Sequence, residues 1–178
     1  TEFIKGESLS PAAVLLRAGV SGAERVLVRT PSDDLTLATV LAVNQLNPIG
    51  HVVAHFNESE IAALASAYAP SLECTSSMAI EMLVRASQDP GSSMVINELL
   101  CVGEGATQYL MKLPETYQAT FGDLYTQLKE RYNATLIGYR AKGMQQPWIN
   151  PPSATRIEGG ELFYIASTRL KEISNGMV

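Results

Sequence analysis

The fold is decided by one stretch of the sequence, Glu24–Asn57, which reads E-R-V-L-V-R-T-P-S-D-D-L-T-L-A-T-V-L-A-V-N-Q-L-N-P-I-G-H-V-V-A-H-F-N. The apolar run Val26–Val28 is typical of a parallel strand covered on both faces. His51–Phe56 is predicted as a second strand, with Val52, Val53 and Ala54 inside. The turn Pro31–Asp34 and a helix lie between the two strands. The stretch therefore predicts one βαβ unit.

The helix of this unit has recognisable ends. Ser32 or Asp33 is suited to accept the free N–H groups of the first turn, and the acidic pair Asp33-Asp34 complements the positive helix end. Asn47-Pro48 is expected to end the helix. Apolar residues recur at helical spacing, namely Leu35, Leu37, Ala38, Leu41, Ala42 and Leu46.

Ligands of α/β sheets bind at the carboxyl ends of the parallel strands. Here those ends are the segments Thr30–Asp34 and His55–Asn57. The candidate ligand-binding residues are accordingly Thr30, Ser32, Asp33, Asp34, His55 and Asn57. For Asp33 and Asp34, helix capping is the alternative role.

Size and composition limit the classes of protein to consider. The chain has 178 residues, a net charge of -5 and 46% hydrophobic residues, which suits one domain or two small ones. The acidic balance argues against nucleic-acid binding. No apolar run approaches the roughly 20 residues that cross a bilayer. We interpret Cys74 and Cys101 as buried thiols in a reducing compartment, and we expect a cytoplasmic protein.

Two further segments complete the first lobe. A short strand is predicted at residues 2–7, followed by a helix that Ser10-Pro11 opens and a left-handed Gly19 ends. After the βαβ unit, we predict a helix over Glu58–Tyr68, closed by Pro70, and a strand over Leu72–Thr75. The apolar face of this helix would be formed by Ile61, Leu64, Ala65 and Tyr68.

A helix-turn-helix connector is predicted next. The first helix spans Met78–Ser87 and is expected to bury Ile80, Leu83 and Val84. Asp89, Pro90 and Gly91 form the break and are the candidate hinge. Ser92 or Ser93 is then expected to cap a second helix that runs to Leu100.

The pattern after residue 105 predicts a small α+β lobe with a mostly antiparallel sheet. The expected order is a strand ending at Pro114, a helix over Gly122–Tyr132 with Leu124, Leu128 and Tyr125 inside, and further strands. Those strands are 134–140, 148–149 and 162–166. A turn over Glu158–Glu161 is expected before the last strand, with both of its glutamates solvated. The predicted fold class is thus α/β: a partial Rossmann-like parallel sheet, the connector, and this α+β lobe.

The succession of motifs resembles RCK domains, the regulators of K⁺ conductance. F-I-K-G, S-P, A-G-V, T-P-S-D-D-L-T-L, L-N-P and H-V-V-A resemble the second half of a Trk-type N-lobe. L-P-E, F-G-D-L, L-I-G and I-N-P-P followed by I-E-G-G-E-L-F-Y-I resemble the Trk-type C-terminal lobe. On this basis residues 1–76 are a partial Rossmann-like N-lobe, 77–104 the connector helices, and 105–172 the C-terminal lobe.

The resemblance implies a function and partners. Such domains form cytoplasmic gating assemblies, dimers or rings of eight, at an inner-membrane potassium channel or transporter, and ligand binding opens the pore. The matching helix builds a dimer interface, which here implicates Met94, Val95 and Leu99. A second effector pocket in the C-terminal lobe is a further expectation, with Arg140, Asn150 and Arg156 as its candidates.

One departure concerns the effector. A complete RCK N-lobe begins with a strand and a Gly-x-Gly-x-x-Gly turn, which is not present in this sequence, so we expect a longer parent chain and an incomplete dinucleotide site. The cofactor stays open between a nucleotide of the NAD or ATP/ADP class and a cation. No metal site is predicted: His55 and Asn57 stand where calcium-gated relatives have carboxylates, and His51 lies roughly 13 Å from His55 along a strand.

Catalysis has little support in the sequence. No nucleophile accompanies a base at recognisable spacing, so no catalytic residues are assigned. The predicted function is therefore a non-enzymatic, ligand-sensing domain that regulates potassium transport. The alternatives are a fragment of a dinucleotide-dependent enzyme and a ligand-sensing module unrelated to ion transport.

Overall fold

The computed structural model describes residues 11–69, 72–101 and 105–171. Contacts divide the chain into unit 1, Thr1–Val84, and unit 2, Arg85–Val178. The predicted strand at 2–7 and the capping residue Ser10 lie outside the described residues. Within the described ranges, no helix is long and apolar enough to cross a membrane.

Unit 1 contains the predicted βαβ unit and extends it by one strand. Its elements are α1 (Pro11–Arg17), a 3-10 turn (Val20–Gly22), β1 (Arg25–Val28), α2 (Asp33–Leu46), β2 (His51–Phe56), α3 (Ser59–Tyr68) and β3 (Leu72–Ser76). The strands form a parallel sheet in the order β1-β2-β3. Gly19 has φ 75°, the left-handed conformation predicted for the end of α1. The predicted parallel lobe is confirmed.

The most buried residues of α2 are not the predicted leucines, although Leu37 and Leu46 do pack against the core. Thr36, Val40 and Val43 are fully or almost fully buried, whereas Leu41 is 41% exposed. Leucines occur on several sides of α2, so their spacing alone did not identify the inward side. In α3 the small residues Ala62 and Ala65 are buried. The predicted inward residues Leu64 and Tyr68 are exposed.

A buried asparagine holds the end of α2. The backbone N–H of Asn47 donates to the Val43 carbonyl, as in a last helical turn. Its side-chain Nδ2 donates to the carbonyls of Val20 (2.8 Å) and Ala23 (2.7 Å), and its Oδ1 accepts from the Gly50 N–H (3.0 Å). Buried backbone groups need such partners. Asn47 thus joins the turn after α1 to the turn before β2.

The sheet of unit 1 is covered on one face by the described residues. Val28, Val52, Ala54 and Phe56 are buried on the helix side. Leu27 on the opposite face is 80% exposed, and Val53 beside it is only half-buried. The expectation that both faces of β1 are covered is therefore wrong within the described part of the chain.

The connector helices are α4 (Ala79–Gln88) and α5 (Ser92–Leu100). Neither helix has a buried residue. The prediction that Ile80, Leu83 and Val84 are buried is wrong, since their exposed fractions are 76%, 72% and 49%. Helix α4 is amphipathic, and its apolar face is exposed within the part of the chain that the structure describes.

The start of α5 also differs from the prediction. Gly91, with φ 95°, is the N-cap residue, and it offers no side-chain hydrogen bond. Ser92 is the first helical residue, and its buried Oγ has no hydrogen-bond partner among the described residues. The predicted capping by Ser92 or Ser93 is therefore wrong, while the break at Gly91 is where the sequence indicates it.

Unit 2 contains the predicted α+β lobe. Its elements after α5 are β4 (Thr107–Thr120), α6 (Phe121–Tyr132), β5 (Thr135–Arg140), β6 (Trp148–Ile149) and β7 (Arg156–Ala166). The antiparallel sheet has the order β4-β7-β5-β6. Phe121, Leu124 and Leu128 of α6 are buried against it, and Tyr125 is 43% exposed, contrary to the prediction for that residue.

Strand β4 does not end at Pro114. It continues to Thr120, and the pairing with β7 is interrupted between Leu113 and Gln118. Proline has no N–H to donate to a ladder, and a position where pairing is interrupted tolerates it. The proline thus marks an irregularity within a strand.

The glycine pair of E-G-G-E lies within β7, and the predicted turn at this point is wrong. Gly159 has φ 61° and Gly160 has φ 85°, a left-handed region that favours glycine. A Cβ on Gly160 would lie 2.5 Å from the Arg140 carbonyl oxygen. Ile157 and Leu162 are both buried although they lie five positions apart, so the inside-outside alternation shifts by one residue here.

Replacing Gly160 with alanine should lower the free energy of unfolding of unit 2 by about 3 kcal/mol, because backbone strain and a steric clash add together. Gly143→Ala is the matched control: its φ is 88° and a Cβ there meets nothing within 4 Å, so a loss of about 1 kcal/mol is expected. Urea unfolding followed by the fluorescence of Trp148, the single tryptophan, measures both. Equal losses would contradict the close-packing argument.

Candidate functional site

The turn after β1 is held by its own hydroxyl groups. Ser32 is the N-cap of α2, and its Oγ accepts from the Leu35 N–H at 3.4 Å. Thr30 Oγ1 donates to the Ser32 carbonyl at 2.8 Å and lies 2.8 Å from Thr36 Oγ1. Of the two capping residues suggested by the sequence, Ser32 therefore has this role.

Asp33 has a different role. It is buried, and its Oδ1 accepts from the backbone N–H (2.8 Å) and the side-chain Nδ2 (2.9 Å) of Asn57. Its Oδ2 accepts from the Glu58 N–H at 2.9 Å. The carboxylate thus joins the start of α2 to the loop between β2 and α3. The two predicted ligand-binding segments meet through this contact.

These bonds change the acidity of the carboxyl. The Asn57 backbone N–H is the largest influence and lowers the pKa of Asp33 below its ordinary value of 3.8. Burial opposes the shift, and the Glu58 N–H and the Asn57 amide reinforce it. Asp33 is ionised at neutral pH with three donors on its two oxygens. A ligand that contacts Asp33 would have to share these oxygens with N–H groups of the protein, whereas the neighbouring Asp34 is exposed.

His55 lies on the open face of the parallel sheet. Its Nδ1 is 3.3 Å from Thr75 Oγ1 on the neighbouring strand. Together with Leu27, Arg29 and Val53 it lines a cavity of about 310 Å³. The structure therefore brings Asp33 and Asn57 together, as it does Thr30 and Ser32. His55 makes no hydrogen bond to these residues, but its imidazole is among the influences that lower the pKa of Asp33.

His51 and the cysteines are peripheral to this region. His51 Nε2 lies 3.1 Å from Glu73 Oε2 in a largely exposed pair. Cys74 is half-buried and Cys101 is exposed, so the expectation of a buried thiol is wrong for Cys101. The described residues contain no group of three or more His, Cys, Asp or Glu side chains placed to hold a metal ion.

A second and larger cavity of about 690 Å³ lies in unit 2. Arg140 lines it and pairs with Glu161, with Nε donating to Oε2 at 2.7 Å. Glu161 is thus an ion-pair partner, and the prediction that it is solvated is wrong. Asn150 and Arg156 are not among the lining residues.

The sequence reasoning missed most of the charged residues at this cavity. Besides Arg140 and the two glutamates of E-G-G-E, the charged lining residues are Lys112, Glu115 and Lys142. The six charged residues come from three separate strands and a loop, so no local spacing connects them. The glycine pair was the available signal, because two adjacent glycines within a strand often mark a bulge.

The remaining predicted residues lie at the start of unit 2. Met94 and Val95 of α5 are 73% and 61% exposed. Leu99 is half-buried, and its carbonyl accepts from Thr107 Oγ1 at 2.7 Å. In the proposed hinge, the Asp89 carbonyl accepts from the Ser92 N–H at 3.1 Å. The interface and hinge assignments stay predictions.

Asp33→Asn should loosen the β2–α3 loop at pH 7. The neutral amide has one acceptor oxygen in place of two charged ones, so it cannot accept all three hydrogen bonds. Since the folded-state pKa is lowered, the stabilisation is complete above the unfolded-state pKa and is lost as the pH falls through the folded-state value. Hydrogen exchange of the segment 51–69 at pH 7 and below pH 4 measures this. The difference between the wild-type chain and the variant should shrink in acid.

Asp34→Asn is the matched control for this experiment. Asp34 lies in the same turn, is exposed, and makes no hydrogen bond among the described residues. The exchange of 51–69 should then be unchanged. Equal effects of the two substitutions would show that the charge of the turn matters, and not the contact with Asn57 and Glu58.

Comparisons with known proteins give matches at the level of structure. No protein-family model matches the sequence, and no curated protein does. The structure is similar to that of the human SLO3 gating ring, with a TM-score of 0.69 and 15% identity over 92% of this chain and 36% of the other. The chain thus spans about a third of the length of that protein.

Two structures of GsuK are also similar. The GsuK RCK domain is 21% identical with a TM-score of 0.44, over 94% of this chain and 35% of the other. The GsuK channel bound to NAD is 19% identical with a TM-score of 0.44, over 94% and 29%. The fold of this chain is thus that of the human SLO3 gating ring, and the resemblance that the sequence predicts is confirmed for the fold.

Proposed function

We propose that the chain is a regulatory, non-catalytic domain on the cytoplasmic side of a membrane, where it controls potassium transport through a channel or transporter. The observation that carries the proposal is the fold, which matches the human SLO3 gating ring over 92% of the chain. Fold by itself does not fix function.

The surface supports association with a second copy. Helix α5 exposes Met94 and Val95, and helix α4 exposes Ile80 and Leu83, each by more than half of its surface. Isolated apolar residues are normal on protein surfaces, but several exposed apolar side chains on one helix are typical of an interaction site. Met94, Val95 and Leu99 are the core of the proposed dimer interface. Larger rings would be assembled from such dimers.

The mechanism of such a domain is a shift in conformational populations. A ligand changes the pore equilibrium only by the difference between its affinities for the two states. The proposed effector is a nucleotide or a cation. The proposed contact residues are Thr30, Ser32, Asp34, His55 and Asn57, with Asp33 holding the loops that carry them. The hydrogen bonds of Asp33 fit this positioning role. They join Asp33 to Asn57 and Glu58, and they do not involve the side chains of Thr30 and Asp34.

Light scattering of the chain should reveal a dimer or a larger ring, and its mass should shift with NAD, ATP, ADP, Ca²⁺, Na⁺ or K⁺. The double substitution Met94→Glu with Val95→Glu should weaken association by about 3 kcal/mol, roughly 100-fold in dissociation constant, because charges would be buried without partners. Leu64→Glu is the control, since Leu64 is 71% exposed on α3 outside the proposed interface. A monomer that ignores every ligand would contradict the proposal.

The hinge hypothesis has its own test. Gly91 adopts φ 95°, and Gly91→Ala should stiffen and strain this turn. Spin labels at Ser66 and Lys129, one in each unit, would report a distance that changes on ligand binding in the wild-type chain. The change should be smaller in the variant. An unaltered response would eliminate Asp89, Pro90 and Gly91 as the hinge.

A further inference from the structure

The cavity of unit 2 has a balanced set of charges. Its volume is about 690 Å³, within the range of small-molecule sites. Three cationic and three anionic side chains line it, so that the lining has no net charge. They are Lys112, Arg140, Lys142, Glu115, Glu158 and Glu161.

Internal ion pairs neutralise four of these six charges. Arg140 pairs with Glu161, and its guanidinium also lies over the Phe163 ring, 5.7 Å from the centroid. Lys142 pairs with Glu115, and both side chains are about four-fifths exposed. The first pair joins β5 to β7, and the second joins the loop after β5 to β4.

Lys112 and Glu158 are the two charges left over. Among the described residues, the Lys112 ammonium and the Glu158 carboxylate make no hydrogen bond and no ion pair. Lys112 lies opposite Glu161 in the β4–β7 ladder. Glu158 is three residues from Glu161 along β7, on the other side of the glycine pair. One free cation and one free anion thus face the same cavity.

The glycine pair makes this arrangement possible. Residues three apart on a regular strand point to opposite faces. The positive φ angles of Gly159 and Gly160 shift the alternation, so that Glu158 and Glu161 line the same cavity. Met144, which is 44% exposed, contributes apolar surface to the lining, whereas Leu113 belongs to the core on the other face of the sheet.

We infer that this cavity binds a small ampholyte, whose anionic end pairs with Lys112 and whose cationic end pairs with Glu158, with a short aliphatic body against Met144. The inference depends on unit 2 alone and not on the proposed function. A simple anion would satisfy Lys112 but leave Glu158 unpaired, and a simple cation would do the reverse. The ligand class follows from the pair of complementary charges.

The test uses the complete 178-residue chain and a series of ω-amino acids: glycine, β-alanine, γ-aminobutyrate, 5-aminopentanoate and 6-aminohexanoate. Calorimetric titration or NMR shift perturbation measures binding. Dissociation constants near about 1 mM are expected for ligands of this size, with the longer members tighter than glycine. Acetate and propylamine, which carry one charge each, should bind at least about 10-fold more weakly.

Variants separate the two charges. Lys112→Met and Glu158→Gln should each weaken binding of the best ω-amino acid about 10-fold or more. Both side chains are exposed, so folding should be unaffected. The exchange Lys112→Glu with Glu158→Lys should restore binding, because the ligand can bind in the opposite direction. Lys129→Met and Glu130→Gln on α6 are the controls. They remove the same charges at positions outside the cavity lining, so binding should be unchanged.

Three results would overturn the inference. The first is that no ω-amino acid binds at concentrations well above 1 mM. The second is that acetate or propylamine binds as tightly as the ampholytes. The third is that binding occurs but is unchanged in Lys112→Met and Glu158→Gln, which would place the ligand elsewhere.

Discussion

The positive φ angles of Gly159 and Gly160 are the constraint on which unit 2 depends most. Strand β7 pairs with both β4 and β5. A change in the order of inward- and outward-facing side chains along β7 therefore affects its packing with both strands. The shift at the glycine pair lets Ile157 and Leu162 both enter the core. A Cβ at Gly160 would overlap the Arg140 carbonyl, so β5 can approach closely only because this position has no side chain. One local feature therefore determines both the core and the charged cavity.

Unit 1 uses buried polar side chains for a comparable purpose. Asp33 accepts three hydrogen bonds from the loop after β2, and Asn47 makes three bonds to the turns on either side of it. An unpaired buried N–H or carbonyl costs about 1–3 kcal/mol, so these side chains remove a considerable penalty from the loops. Asp33 acts at the carboxyl ends of β1 and β2, where α/β sheets bind ligands, and Asn47 acts at their amino ends.

The sequence predicted the order and type of the elements well, because periodicity and turn residues are local signals. The βαβ unit, the break at Gly91 and the α+β lobe are all found. The sequence was less informative about which side faces inward. In α2 leucines occur on several sides of the helix, and the fully or almost fully buried residues are Thr36, Val40 and Val43, with Leu37 and Leu46 only partly buried beside them. Which side of a helix is buried depends on the element that packs against it, and the periodicity of the helix alone does not identify that element.

The same limit applies to the sites. The sequence singled out Asp33 and Asn57 because they follow two parallel strands, and the structure shows that the two residues contact each other. Nothing local could connect Lys112 with Glu158, which are brought to one cavity by the pairing of β4 with β7. Pro114 and the glycine pair suggested strand ends, although both lie where the β4–β7 pairing is irregular. Residues that end regular strands also occur at bulges, and only the partner strand distinguishes the two cases.

The exposed apolar side chains connect the fold with the proposed assembly. Ile80, Leu83, Met94 and Val95 are all more than half exposed although each is of a type usually found inside. If a second copy covers them, part of the folding free energy of the connector becomes a binding free energy, and the apparent stability then depends on protein concentration. Any effector that alters association would alter this stability in the same measure. A domain built in this way has its regulatory equilibrium and its structural stability coupled through the same side chains.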